Sequence, residues 1–125
     1  VFNCGAPLVQ LPCEGVVDSF TTSKYELEHW LKGKNELCDY LLENTVNEAD
    51  RYAAGKPWTR VIWDVTAVAW LVDTKRAFMR DRLIRSYSPE YDFHYAQKSD
   101  SHFMTYVYKI NRDALFEDLF QRLAE

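Results

Sequence analysis

Apolar residues recur at helical spacing in two long stretches of the chain. Between residues 35 and 54, Leu37, Cys38, Leu41, Leu42, Val46 and Ala49 fall on one helical face, and Glu36, Asp39, Glu43, Asn47 and Asp50 fall opposite. Asn35 is a suitable cap, and Gly55 with Pro57 ends the run. The acidic side is read as a solvated face. Near the end of the chain, Leu115, Phe116, Leu119, Phe120 and Leu123 form one wide stripe opened by Asn111. Such a stripe is predicted to face a core. A shorter helix is predicted over residues 24–32. Ser23 and Glu26 have the S-x-x-E capping-box spacing, Leu27, Trp30 and Leu31 give an apolar face, and Gly33 stops it.

Elsewhere the pattern changes. Residues 6–12, Ala-Pro-Leu-Val-Gln-Leu-Pro, are short and apolar and read as a buried strand of a parallel sheet. Residues 79–87 and 103–110 are rich in β-branched and aromatic side chains. They read as an antiparallel pair around a polar segment at 88–101. The fold class is therefore α/β: a strand-helix unit first, then helices with a small antiparallel hairpin. A parallel sheet needs a second parallel strand and cover on both faces. With one convincing parallel-type strand, the chain is expected to be part of something larger. The edge of that strand would self-associate or pair with a missing half.

One acid stands out. In the run Arg60-Val-Ile-Trp-Asp-Val-Thr-Ala-Val-Ala-Trp-Leu-Val72, Asp64 is surrounded by apolar residues. Burying an ionised carboxylate costs several kcal/mol, roughly, unless it is compensated. A helix over 65–72 would start at Asp64, because Asp is a favoured N-cap and no Gly or Pro follows. Two readings stand side by side. Asp64 either caps the helix with its side chain, or is a metal or substrate ligand beside Trp63 and Ile62.

Composition narrows the function classes. The 125 residues are 47% apolar and 15% aromatic, enough for a core and for broad aromatic walls. The net charge of −4 and pI near 5.4 lack the basic footprint of a nucleic-acid binder. No apolar run is long enough to span a bilayer. Cys4, Cys13 and Cys38 are odd in number and widely spaced, which argues against a disulfide framework. A reducing, cytoplasmic compartment is expected. Zinc held by these with His29, His94 or His102 lacks supporting CxxC or HxxxH spacing. No Gly-x-Ser-x-Gly elbow, dinucleotide fingerprint or phosphate loop occurs. Cys13 ends a predicted strand, where a nucleophile with His94 or His102 as base is conceivable; the simpler reading is a buried structural thiol. Glu14 reads as a loop acid, and the mixed-sign residues 76–82 as a solvated segment.

Three segments in order carry a resemblance. Gly5-Ala-Pro-Leu-Val-Gln-Leu-Pro12, Trp58-Thr-Arg-Val-Ile-Trp-Asp-Val-Thr-Ala-Val-Ala-Trp-Leu71 and Tyr106-Val-Tyr-Lys-Ile-Asn-Arg-Asp-Ala-Leu-Phe116 resemble the C-terminal part of the inosine-uridine preferring nucleoside hydrolases. The resemblance implies that residues 1–125 are a C-terminal segment of such a domain. It implies cleavage of the N-glycosidic bond of ribonucleosides by water, with Ca²⁺ binding the ribose diol and activating that water. Asp64 matches the family's late metal-binding Asp. Trp63 stands where many members carry a His that protonates the leaving base. Trp cannot act as that acid but can stack on a purine. The family's Asp-rich motif, D-x-D-x-x-x-D-D, does not occur in this sequence, and a single carboxylate makes no tight calcium site. The chain alone is therefore expected to be inactive. The expected partners are a nucleoside substrate, a missing N-terminal segment or second chain, and further copies in a homo-oligomer. The rival expectation is a non-catalytic interaction domain that keeps the fold.

Overall fold

The computed structural model describes residues 2, 4–92, 94–97 and 100–125. In chain order the elements are β1 (Val9–Gln10), β2 (Thr21–Thr22), α1 (Lys24–Leu31), α2 (Glu36–Ala53), β3 (Arg60–Val61) and α3 (Val65–Val72). Then follow β4 (Met79–Arg85), β5 (Tyr87–Pro89), β6 (Tyr95–Gln97), β7 (Phe103–Ile110) and α4 (Arg112–Leu123). The protein is mixed α/β, with four α-helices and a mixed sheet among the described residues.

Three helices begin on side-chain caps. Ser23 accepts from the Glu26 N–H at 3.4 Å, Asn35 from Cys38 at 2.9 Å and Asn111 from Ala114 at 3.5 Å. Each satisfies a first-turn N–H that the helix itself leaves unpaired. Gly33, at φ 69°, follows the α1 C-cap in the left-handed region, and its N–H donates to the Asp39 carboxylate at 2.7 Å.

The main sheet has the order β1-β7-β4. β7 runs antiparallel to β4 and parallel to β1, pairing Val9 with Thr105 and Gln10 with Tyr106. This corrects the expectation that the first strand lacks a parallel partner in this chain: β7 is that partner. The strand is also shorter than residues 6–12. The predicted antiparallel pair is present, with a register shift at Arg80/Asp81 that leaves Tyr108 unpaired as a bulge. Inside the polar segment 88–101, β5 and β6 form their own small ladder; positions 93, 98 and 99 lie outside the described residues.

The core sits between the sheet and the helices. Phe20 is fully buried and stacks on Phe116 at 4.0 Å; Phe116 stacks on Phe120 at 5.2 Å. Leu31, Cys38, Val107 and Leu115 complete its centre. Leu37 departs from its predicted place on the buried face of α2: it is 54% exposed.

One polar hub ties the layers together. Arg112, at the start of α4, donates to the Thr21 carbonyl at 3.0 and 2.7 Å, pairs with Glu26 and lies 4.5 Å from the Phe116 ring centre. Its pKa is raised, chiefly by the hydrogen bond to Glu26, with burial opposing. Glu26 also accepts from the Thr22 hydroxyl at 2.8 Å. Because β2 pairs with β3, this hub fixes the strand that leads into Trp63 and Asp64.

Candidate functional site

The segment from β3 to α3 is held from both sides. The Ile62 N–H donates to the carbonyl of buried Phe20 at 3.1 Å. The buried Thr66 hydroxyl donates to the Trp63 carbonyl at 2.6 Å, and the Ala67 N–H to the Asp64 carbonyl at 3.2 Å. These bonds start α3 at the predicted residue and fix the backbone of Trp63 and Asp64.

The Asp64 side chain is neither buried nor a helix cap. It is exposed, and Asp64 has helical dihedrals, φ −73° and ψ −28°. A side-chain cap needs extended backbone at that position, and none is made. The plain-cap reading is therefore corrected, as is the expectation that Asp64 bears a burial cost. Among the described residues its carboxylate has no ion pair. Beside it Trp63 is 46% exposed. The structure thus leaves the Asp64 carboxylate exposed and the indole of its chain neighbour Trp63 half open, both on a fixed backbone.

The outward side of α3 is apolar. Val68, Leu71 and Val72 are 61%, 72% and 52% exposed, while Ala69 faces the core. Trp70 leans toward the sheet, donating its indole N–H to Asp81 at 3.3 Å; Arg76 pairs with the same carboxylate at 2.9 Å. The acid that closes α3 does what Asp64 does not. Asp73 accepts from the N–H groups of Ala77, Phe78 and Met79 at 2.6, 2.9 and 2.9 Å, and so organises the turn into β4. Its sequence signal is an acid directly after an apolar helical run and before a loop.

The other sequence candidates are not gathered into one site. Cys13 is exposed in a turn, not the buried thiol expected, and Glu14 is exposed beside it. Cys4 is exposed too, whereas Cys38 is buried and its thiol contacts the Leu123 carbonyl at 3.0 Å. His94 is exposed against Asp92 at 3.1 Å. His102 has Nδ1 3.5 Å from the hydroxyl of fully buried Ser86, and its Nε2 is buried without a partner among the described residues. A serine with no access to solvent is no nucleophile for an external substrate.

A metal site needs several donors gathered together. Calcium takes six to eight oxygen ligands, largely carboxylates. Among the described residues no three His, Cys, Asp or Glu side chains cluster in a way that could hold an ion. Asp64 supplies a single carboxylate, so the described residues do not by themselves fit a calcium or zinc site. None of the described helices is long and apolar enough to cross a membrane. Comparison with models of known families, with curated proteins and with solved structures finds no match to this chain.

Proposed function

We propose that the chain is the C-terminal part of a nucleoside N-ribohydrolase, and that it contributes Trp63 and Asp64 to a site completed by another segment or chain. The observation that carries this reading is the Asp64 carboxylate: exposed, uncapped and beside a half-open indole on a fixed backbone. Cleavage of an N-glycosidic bond builds positive charge on the ribose while the base departs. A fixed carboxylate near the sugar favours that charge, and an aromatic face next to it stacks the base. Trp63 offers a face for stacking and no acidic proton for the leaving group. In the assembled site Asp64 would be one oxygen ligand among the several that calcium requires; the remainder must come from outside the described residues. Further copies of the chain in a homo-oligomer and a reducing, cytoplasmic setting complete the proposal, the second in keeping with the exposed thiols of Cys4 and Cys13.

A reducing-sugar assay with several ribonucleosides and added Ca²⁺ tests it. The 125-residue chain is expected to release no ribose. The polypeptide or complex that also carries an Asp-rich segment is expected to do so, and Asp64→Asn there should lower turnover by roughly 100-fold or more with unchanged thermal unfolding. Unchanged turnover in that variant, or robust hydrolysis by the isolated chain, would overturn it. The rival reading is a non-catalytic interaction domain, favoured by the exposed apolar side of α3. It predicts that Leu71→Ser abolishes association while Asp64→Asn changes nothing.

A further inference from the structure

The two faces of the β1-β7-β4 sheet differ in charge. Met79, Val107 and Ile110 face the core, and the cross-strand partner of Val107 is Asp81. Partners in a ladder share a face, and neighbours along a strand alternate. The Arg80–Lys109 and Arg82–Tyr106 pairs therefore lie on the opposite face. Asp81 is the sole acid in the sequences of β1, β4 and β7. It points to the other side, toward Trp70 and Arg76. The Arg80–Lys109–Arg82 face has no carboxylate of its own sheet to balance it.

Three details of this face bear on what it holds. Arg80 and Lys109 stand directly opposite each other, and like charges in that position cost stability. The Arg80 guanidinium is held in place by the backbone carbonyls of Arg76 and Met79, which orient it without neutralising it. Arg82 lies 5.8 Å from the Tyr106 ring centre and 5.7 Å from that of Tyr108, the bulge residue. The rings restrain a planar fork whose N–H groups, like the Lys109 ammonium, have no acceptor among the described residues. A guanidinium restrained in this way loses less freedom when it grips an anion in a bidentate manner. Next to the Arg80–Lys109 pair lies a cavity of about 360 Å³ that reaches to Asn111 and Asp113. The Asp113 carboxylate on its rim is 89% exposed to solvent and pairs at 2.9 Å with Arg112, which it shares with Glu26.

We infer that this face binds a phosphate-class anion, either free phosphate or the phosphate group of a small ester, clamped between Lys109, Arg80 and Arg82. The bound anion relieves the Arg80–Lys109 repulsion and uses the donors of Arg82. The site is separate from Asp64 and stands whether or not the chain takes part in nucleoside hydrolysis.

Calorimetric titration of the 125-residue chain with inorganic phosphate, at ionic strength matched with sodium chloride, tests the inference. Saturable binding is expected, weakened roughly tenfold in Lys109→Gln, the loss of one charge-assisted hydrogen bond. Arg82→Gln should weaken it at least as much. Lys109 is exposed, so its variant keeps the fold even if Arg82→Gln disturbs the tyrosines. Glycerol phosphate in a parallel titration separates the sources: tighter binding than phosphate points to an ester, equal or weaker binding to the free ion. No saturable binding beyond chloride would overturn the inference, as would affinity unchanged from the parent chain in both variants. So would concentration-dependent self-association that Lys109→Gln abolishes in the absence of phosphate binding, since the face would then meet a second copy.

Discussion

Helices α2 and α3 each start from a short polar side chain, and the two residues do opposite things. Asn35 caps α2, and its amide also donates to the Leu123 carbonyl at the end of α4 at 2.7 Å. One residue thus closes a helix end and locks two helices together. Asp64 stands at the same position of α3 and does neither. The faces behind them differ as well. The α2 side buries Cys38, Leu42 and Ala49, while α3 leaves Val68, Leu71 and Val72 open. At Asn35 the structural task goes with a covered stripe of Cys38, Leu42 and Ala49, although Leu37 beside it is exposed. At Asp64 the uncapped acid goes with an open apolar side. That coincidence is why α3, and not the longer and more acidic α2, is the candidate for contact with something outside the chain.

The largest expected effect separates the packed layer from the open one. Phe116 stacks on both Phe20 and Phe120, so Phe116→Ala should cost about 3–5 kcal/mol through lost burial and the cavity it leaves. Leu71→Ser, on the open side of α3, should change stability by no more than about 0.5 kcal/mol. Urea unfolding of both variants measures this. A loss at Leu71 approaching that at Phe116 would mean that the open side of α3 is covered, and the comparison would fail.

A smaller contrast concerns the helix starts. Asn35→Ala should lower stability by about 1–2 kcal/mol, because it removes the cap and the link to α4. Asp64→Ala should stay within about 0.5 kcal/mol, having no cap bond to lose. Thermal unfolding of the pair decides it. Equal losses would restore Asp64 as an ordinary cap.

The parts legible from sequence were those fixed by local physics. The starts at Ser23, Asn35 and Asn111 follow from side chains that can reach the next turn, and the stripe on α4 follows from helical spacing. The pairing of β4 with β7 followed from two β-rich runs. What escaped was set by residues far apart in the chain. The parallel partner of β1 lies about a hundred residues away, and no local pattern in Leu8 to Leu11 points to Thr105 and Tyr106. The two-residue ladder of β2 with β3 is too short to show periodicity. Leu37 fits the helical period and still faces solvent, because what covers a helix face depends on the elements around it. For Asp64 the sequence located the residue and the helix start. Its exposure and its missing cap depend on backbone dihedrals and on Thr66, which the pattern of apolar residues does not encode.

The smallest expected effect lies in the sheet layer and tests whether part of it is as well packed as the helices. The Tyr87 hydroxyl donates to Gln10 at 3.0 Å, joining the segment after β4 to β1 across the sheet. Burial raises its pKa; Tyr106 and Tyr95 add to this, and Arg82 opposes it. The neutral phenol is therefore favoured in the folded state. The sign follows: the unfolded chain loses this proton first, so the stabilisation is complete below about pH 10, the ordinary tyrosine value, and is lost as pH rises through the higher folded value. Tyr87→Phe should be less stable than the parent at neutral pH by about 0.5–1.5 kcal/mol, the net worth of one hydrogen bond. That gap should close as pH rises above 10. Urea unfolding across the alkaline range, with ultraviolet difference titration of the phenols, measures both. A gap that stays constant through that range would mean that Tyr87 ionises as freely in the folded protein as in water, and that the β1 side of the sheet is as open as α3.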